Sequence, residues 1–169
     1  MSSKKVLHFE GSVEERNIGD LIERIEKAIL GDLSQEIELS IVSLGGKFEY
    51  AVAFFDWVRI RGIRLTTIAV GEVASAGIYI FLAGQKRKAG KNCVFFFHES
   101  SQLFRSETRL FTTEIERLGK ELVHDQERGN RIVSEVTGLD VATVRTFETA
   151  ERRLSAAEAV RLGIAHEIV

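Results

Sequence analysis

The run from Ile63 to Ala83, IRLTTIAVGEVASAGIYIFLA, decides the architecture. Ile63 to Val70 has the β-branched, apolar character of a buried strand, and Gly71 reads as a turn. Ser75 to Ala83 is a short helix, apolar around its whole circumference, so no side of it can face water.

The same alternation continues in both directions. Upstream, Val6 to Phe9 reads as a strand, and Ile18, Leu21, Ile22, Ile25, Ala28 and Ile29 recur at helical spacing. Glu36 to Ser43 alternates with Ile37, Leu39 and Ile41 on one face, Gly45-Gly46 breaks it, and Phe48 to Ile60 reads as a helix that Gly62 ends. Downstream, Val94 to Phe97 predicts a fourth, buried strand, while Lys86, Arg87, Lys88 and Lys91 read as a solvated turn. Glu107 to Val136 predicts a long charged helix with Phe111, Ile115, Leu118 and Leu122 on one stripe and a polar middle, His124 to Arg131. A helix that loses its stripe partway along has left its own core, so it projects into solvent or meets another subunit. Gly138 closes it, and Val141 to Ala150 follows as a helix. Ser155-Ala156-Ala157-Glu158 is a capping box opening a helix that Gly163 ends, and Ile164 to Val169 returns as a strand. Strands alternating with helices predict an α/β fold built on parallel βαβ units, with residues 1–169 as one domain.

Composition narrows the function. With 169 residues, 44% hydrophobic and 28% charged, the chain can bury a core, and it is not a disordered segment. A net charge of −2 argues against nucleic-acid and membrane-surface partners. The lone Cys93, set in an apolar run, reads as a buried structural thiol in a reducing compartment. With no apolar leader and no apolar run of about 18 residues, the reading is cytoplasmic.

Three features fall just past the carboxyl ends of predicted strands, where α/β proteins build their sites. They are Gly45-Gly46, Ser75 and His98. Each has an ordinary structural reading: a turn, a helix N-cap and a hydrogen-bonded histidine. Together they place a hydroxyl at a helix start, where free N–H groups suit an oxyanion, beside a potential base. The serine does not fit the hydrolase elbow G-x-S-x-G, because Val73 takes the first glycine's place. Spacings for a zinc set, a dinucleotide fingerprint or a P-loop are missing, so neither metal nor cofactor is expected.

These residues resemble the proteolytic subunit of the Clp protease family, over nearly the whole chain. The matching stretches are Ser43-Leu44-Gly45-Gly46, Gly71-Glu72-Val73-Ala74-Ser75-Ala76-Gly77, His98 after an apolar strand, and Leu154-Ser155-Ala156-Ala157-Glu158-Ala159-Val160-Arg161-Leu162-Gly163. The resemblance implies the Clp protease/crotonase fold of repeated βαβ units with a protruding handle helix. It implies a serine endopeptidase acting on peptides or unfolded proteins within a homo-oligomer, its rings stacked through that helix. By the same resemblance Ser75 is the nucleophile, His98 the general base and Glu151 the orienting carboxylate, with the N–H groups of Gly46 and Ala76 as the oxyanion hole. Glu151 stands where the family has aspartate, and Glu148 is the neighbouring carboxylate that could replace it. Val42, Leu44 and Glu99-Ser100 also depart from the family pattern. Five residues precede the first predicted strand, so the expectation is a shortened N-terminus, no pore loop and no coupling to a Clp ATPase. Two other readings stay open: an assembly subunit with little turnover, and an acyl-CoA enzyme of the crotonase fold.

Overall fold

In the computed structural model, which describes residues 4–102, 104 and 109–169, a largely parallel sheet runs through the molecule with helices packed on it. Strand β1 (Lys5–Glu10) leads through α1 (Glu15–Ile29) to β2 (Ile37–Ser43), and β2 through α2 (Phe48–Arg61) to β3 (Leu65–Ala74). These three strands are parallel neighbours, with Leu7 opposite Leu39 and Leu39 opposite Thr67. The alternation in β2 is realised as expected: Ile37, Leu39, Ile41 and Ser43 are buried, and the residues between them are half-buried. On α1, Ile18, Leu21, Ile25 and Ile29 form the buried stripe. Gly62 ends α2 at φ 64, a left-handed conformation that costs glycine little.

Gly71 is not a turn. It sits inside β3 at φ 64, where the register with β2 slips between Ile41 and Ser43. The irregularity bends β3 and splits its far edge between two partners. Thr66 to Ala69 pair with β4 (Lys86–Ala89), and Glu72 to Ala74 pair with β5 (Val94–Phe96). Between them α3 (Ala76–Leu82) is buried along its entire length.

The basic run also departs from its reading as a solvated turn. Lys86 to Ala89 is a central strand, and Arg87 is 6% exposed. Its guanidinium donates to the carbonyl oxygens of Ile164 (2.7 Å), Gly163 (3.1 Å), Gly84 (3.2 Å) and Val136 (3.5 Å). Three chain segments, at Gly84, Val136 and Gly163–Ile164, thus share one cation, which satisfies carbonyls that helix ends leave open. Burial holds the Arg87 pKa below its ordinary value.

Helix α4 (Thr112–Thr137) starts later than predicted. Residues 107 and 108 lie outside the described residues. Phe111 is extended at φ −85, ψ 157, and its N–H donates to the Glu114 carboxylate (2.8 Å), which caps the helix there. The burial of α4 is the reverse of the pattern reading. Phe111, Ile115 and Val123 are exposed, whereas Gly129, Asn130 and Val133 are the buried residues. The polar middle is where α4 docks, because a small residue there admits Tyr79 of α3. The apolar first half projects.

Gly138 closes α4 at φ 80, and α5 (Val141–Thr149) follows, its first turn capped by Asp140. A short antiparallel strand missing from the sequence reading, β6 (Arg153–Ser155), returns along β5. The Ser155/Glu158 capping box then opens α6 (Ala156–Arg161), and β7 (Glu167–Ile168) pairs with β4. Cys93 is buried and unpaired, its thiol pushed up to about 11 by burial. Among the described residues no helix is long and apolar enough to cross a membrane.

Candidate active site

Because β2, β3 and β5 are parallel neighbours, their carboxyl ends bring Gly45-Gly46, Ser75 and His98 to one edge of the sheet. They open into a cavity of about 790 Å³ lined by Gly46, Ser75, Ala76 and His98.

Ser75 stands at the junction of β3 and α3 at φ 52, ψ −128, a conformation that L residues rarely adopt. Its N–H donates to the Phe96 carbonyl (3.0 Å), which pins the backbone to β5. The N-cap reading of this serine fails on one point: its side chain makes no cap hydrogen bond. The half-buried hydroxyl is left to face the cavity. The double glycine is required by what it touches. A Cβ on Gly45 (φ 100) would lie 2.6 Å from the Ser75 Cβ, and one on Gly46 (φ 149) would lie 2.3 Å from the Val13 carbonyl oxygen. Gly46 is held by a parallel bridge to Val13, with Val13 N–H on Gly45 O (2.8 Å) and Lys47 N–H on Val13 O (2.7 Å). Among the described residues no acceptor is bonded to the N–H of Gly46 or of Ala76.

His98 follows β5, half-buried, with its ring 5.5 Å from that of Phe96. Its Nδ1 lies 2.7 Å from the Glu99 carbonyl oxygen, so the donor tautomer at Nδ1 leaves Nε2 as the basic nitrogen. Glu151 is not brought into the cavity. It occupies the turn after α5 at φ 46, exposed, its N–H donating to the Glu148 carbonyl (3.0 Å). The carboxylate that α5 does deliver to the cavity is Glu148, 3% exposed. Its spacing of four from the buried Val144 placed it on the inward face of α5, a signal present in the sequence.

The order and geometry of these elements have counterparts. The Clp protease family model matches residues 1–169. This chain belongs to the Clp protease family. It is 30% identical over 162 residues to the ATP-dependent Clp protease proteolytic subunit 2 of Pseudomonas aeruginosa, covering 94% of this chain and 78% of that one. It is 32% identical over 144 residues to the proteolytic subunit 3 of Rhizobium meliloti, covering 84% and 72%. The solved structure of a ClpP1 mutant from Listeria monocytogenes superposes with a TM-score of 0.86 at 26% identity, covering 98% of this chain and 91% of that one. The Clp-type α/β fold expected from the sequence is therefore the fold of this chain. Among the described residues, no group of three or more His, Cys, Asp or Glu side chains is placed to hold a metal ion.

Proposed function

We propose that this Clp-family protein is a serine endopeptidase that cuts peptides or unfolded proteins inside a homo-oligomer. The observation that carries the reading is the state of Ser75: strained backbone, uncapped hydroxyl, and a cavity shared with His98 and with the unbonded N–H groups of Gly46 and Ala76. In this reading the Ser75 hydroxyl attacks the substrate carbonyl while His98 Nε2 takes its proton and later delivers it to the leaving amine. The N–H groups of Gly46 and Ala76 stabilise the oxyanion. Glu151 takes the third place when His98 Nδ1 exchanges the Glu99 carbonyl for its carboxylate, which holds the tautomer and stabilises the imidazolium.

The projecting half of α4 supports assembly, since Phe111, Ile115 and Val123 are exposed there. A second reading, an assembly subunit with little turnover, is favoured by the exposure of Glu151 and the engagement of His98 Nδ1 with a backbone carbonyl. A fluorophosphonate probe separates the two. Labelling at Ser75, lost in Ser75→Ala and accompanied by peptide hydrolysis, supports the peptidase. An unlabelled chain that sediments as an oligomer supports the second reading.

A further inference from the structure

Glu148 is a buried carboxyl of the cavity that hydrolysis leaves unused. It is 3% exposed, and among the described residues its Oε2 has no hydrogen-bond partner. A buried polar atom without a partner is costly, so a partner arriving from outside is strongly favoured. Burial pushes the Glu148 carboxyl up to about 8. The Asn130 and Gln126 amides of α4 and the Arg145 guanidinium of α5 oppose that rise, while the negative charge of Glu99 adds to it. Tyr79 of α3 stands beside it, its hydroxyl raised by its own burial first and by the Glu148 charge second.

The rest of the cavity has the same sign. Glu49, Glu99 and Asp125 also line it, against Lys47 and His98, with Arg128 pairing Glu49 (2.6 Å) and Asp125 (3.6 Å) from the side of α4. The Asp125 carboxyl is raised by burial and by Glu49. The apolar wall is aromatic, built from Phe48, Tyr79 and Phe97. Such a wall accepts the methylene stem of a long basic side chain and attracts its charged end. An apolar substrate side chain would leave the Glu148 oxygen unpaired, and an acidic one would meet like charges.

We propose that Glu148 makes this cavity select a lysine or arginine side chain of the substrate, next to the bond that Ser75 attacks. The assignment rests on the peptidase reading for its place beside the scissile bond. The arriving cation pairs with Oε2, and a carboxyl that was protonated releases its proton to solvent. The charge-assisted hydrogen bond replaces the unsatisfied contact and is the source of selectivity.

Fluorescent peptides that differ only in having arginine, lysine, leucine or glutamate at one position test this by two readouts. In the parent, kcat/KM for arginine or lysine should exceed that for leucine by about tenfold or more, as a charge-assisted pair implies. Glu148→Gln, which keeps the shape, should remove most of that preference, and Glu148→Leu should reverse it in favour of leucine. In Ser75→Ala, anisotropy should show the arginine peptide binding about tenfold more tightly than the leucine peptide. Equal turnover or binding of the basic and leucine peptides, a preference that survives in Glu148→Gln, or no binding by any peptide overturns the proposal. Loss of fluorophosphonate labelling and of all cleavage would overturn the peptidase reading alone, because the binding comparison does not require turnover.

Discussion

The Tyr79 hydroxyl lies against Gly129, so close that a Cβ on that glycine would stand 2.2 Å from its oxygen. Phe48 meets the same tyrosine ring edge-on at 5.1 Å. The contact sets how deeply α4 settles on α3, and with it the wall of the cavity that carries Ser75 and Glu148. Gly129→Ala should therefore destabilise the chain by about 1–3 kcal/mol, despite the higher helix propensity of alanine, because overpacking outweighs it. Tyr79→Phe in the same chain should restore part of the loss. Chemical denaturation of the single and double variants checks this, and additive effects would show that the hydroxyl is not the obstacle.

Ser75 holds a backbone that costs on the order of 1–3 kcal/mol for a residue with a Cβ. Ser75→Gly should raise stability by about 1 kcal/mol over Ser75→Ala, and both variants should lose hydrolysis. Equal denaturation midpoints for the two would mean that the φ of 52 carries no strain.

Gly45→Ala puts a methyl against the Ser75 Cβ and 3.0 Å from the Ala74 carbonyl oxygen. Since a shift of about 1 Å at a nucleophile costs on the order of 10²-fold, fluorophosphonate labelling of Ser75 should slow by at least that factor. Wild-type labelling rates in Gly45→Ala would separate the double glycine from the site.

Glu148 gives stability a pH dependence. Its carboxyl, ordinarily near 4.5, is held up to about 8 by burial, so unfolding releases a proton between those values. Stability should fall as pH rises through that window, with a slope approaching about 1.4 kcal/mol per pH unit, relative to Glu148→Gln. Parallel profiles for parent and variant from pH 5 to 8 would remove Glu148 as the titrating group.

Arg87→Leu removes the shared donor of four carbonyls and should cost about 3 kcal/mol. Arg87→Lys, which cannot reach four acceptors in fork geometry, should recover only part of it. Urea midpoints measure both, and a neutral Arg87→Leu would show that water can satisfy those carbonyls.

What the sequence determined by itself was local. The two-residue alternation of β2 and the helical stripe of α1 are visible because burial on one face imposes a period on neighbouring residues. The ends at Gly62 and Gly138 and the Ser155/Glu158 box are visible because caps are satisfied within a few residues. The candidate residues Gly46, Ser75 and His98 were visible for the same reason, each following a strand by one or a few positions. Tertiary structure decided the rest. Lys86 to Ala89 looks like a solvated turn until the carbonyls of Val136, Gly163 and Ile164, distant in the chain, surround Arg87, and β3 passes through Gly71 because β5 arrives to pair with its far end. The exposed apolar half of α4 and its buried polar middle follow from where Gly129 lets Tyr79 in. Glu148, not Glu151, enters the cavity because α5 turns its inward face there and its terminal turn points Glu151 to solvent. Periodicity reports which face of an element is buried, but which partner covers it depends on contacts between residues far apart in the chain.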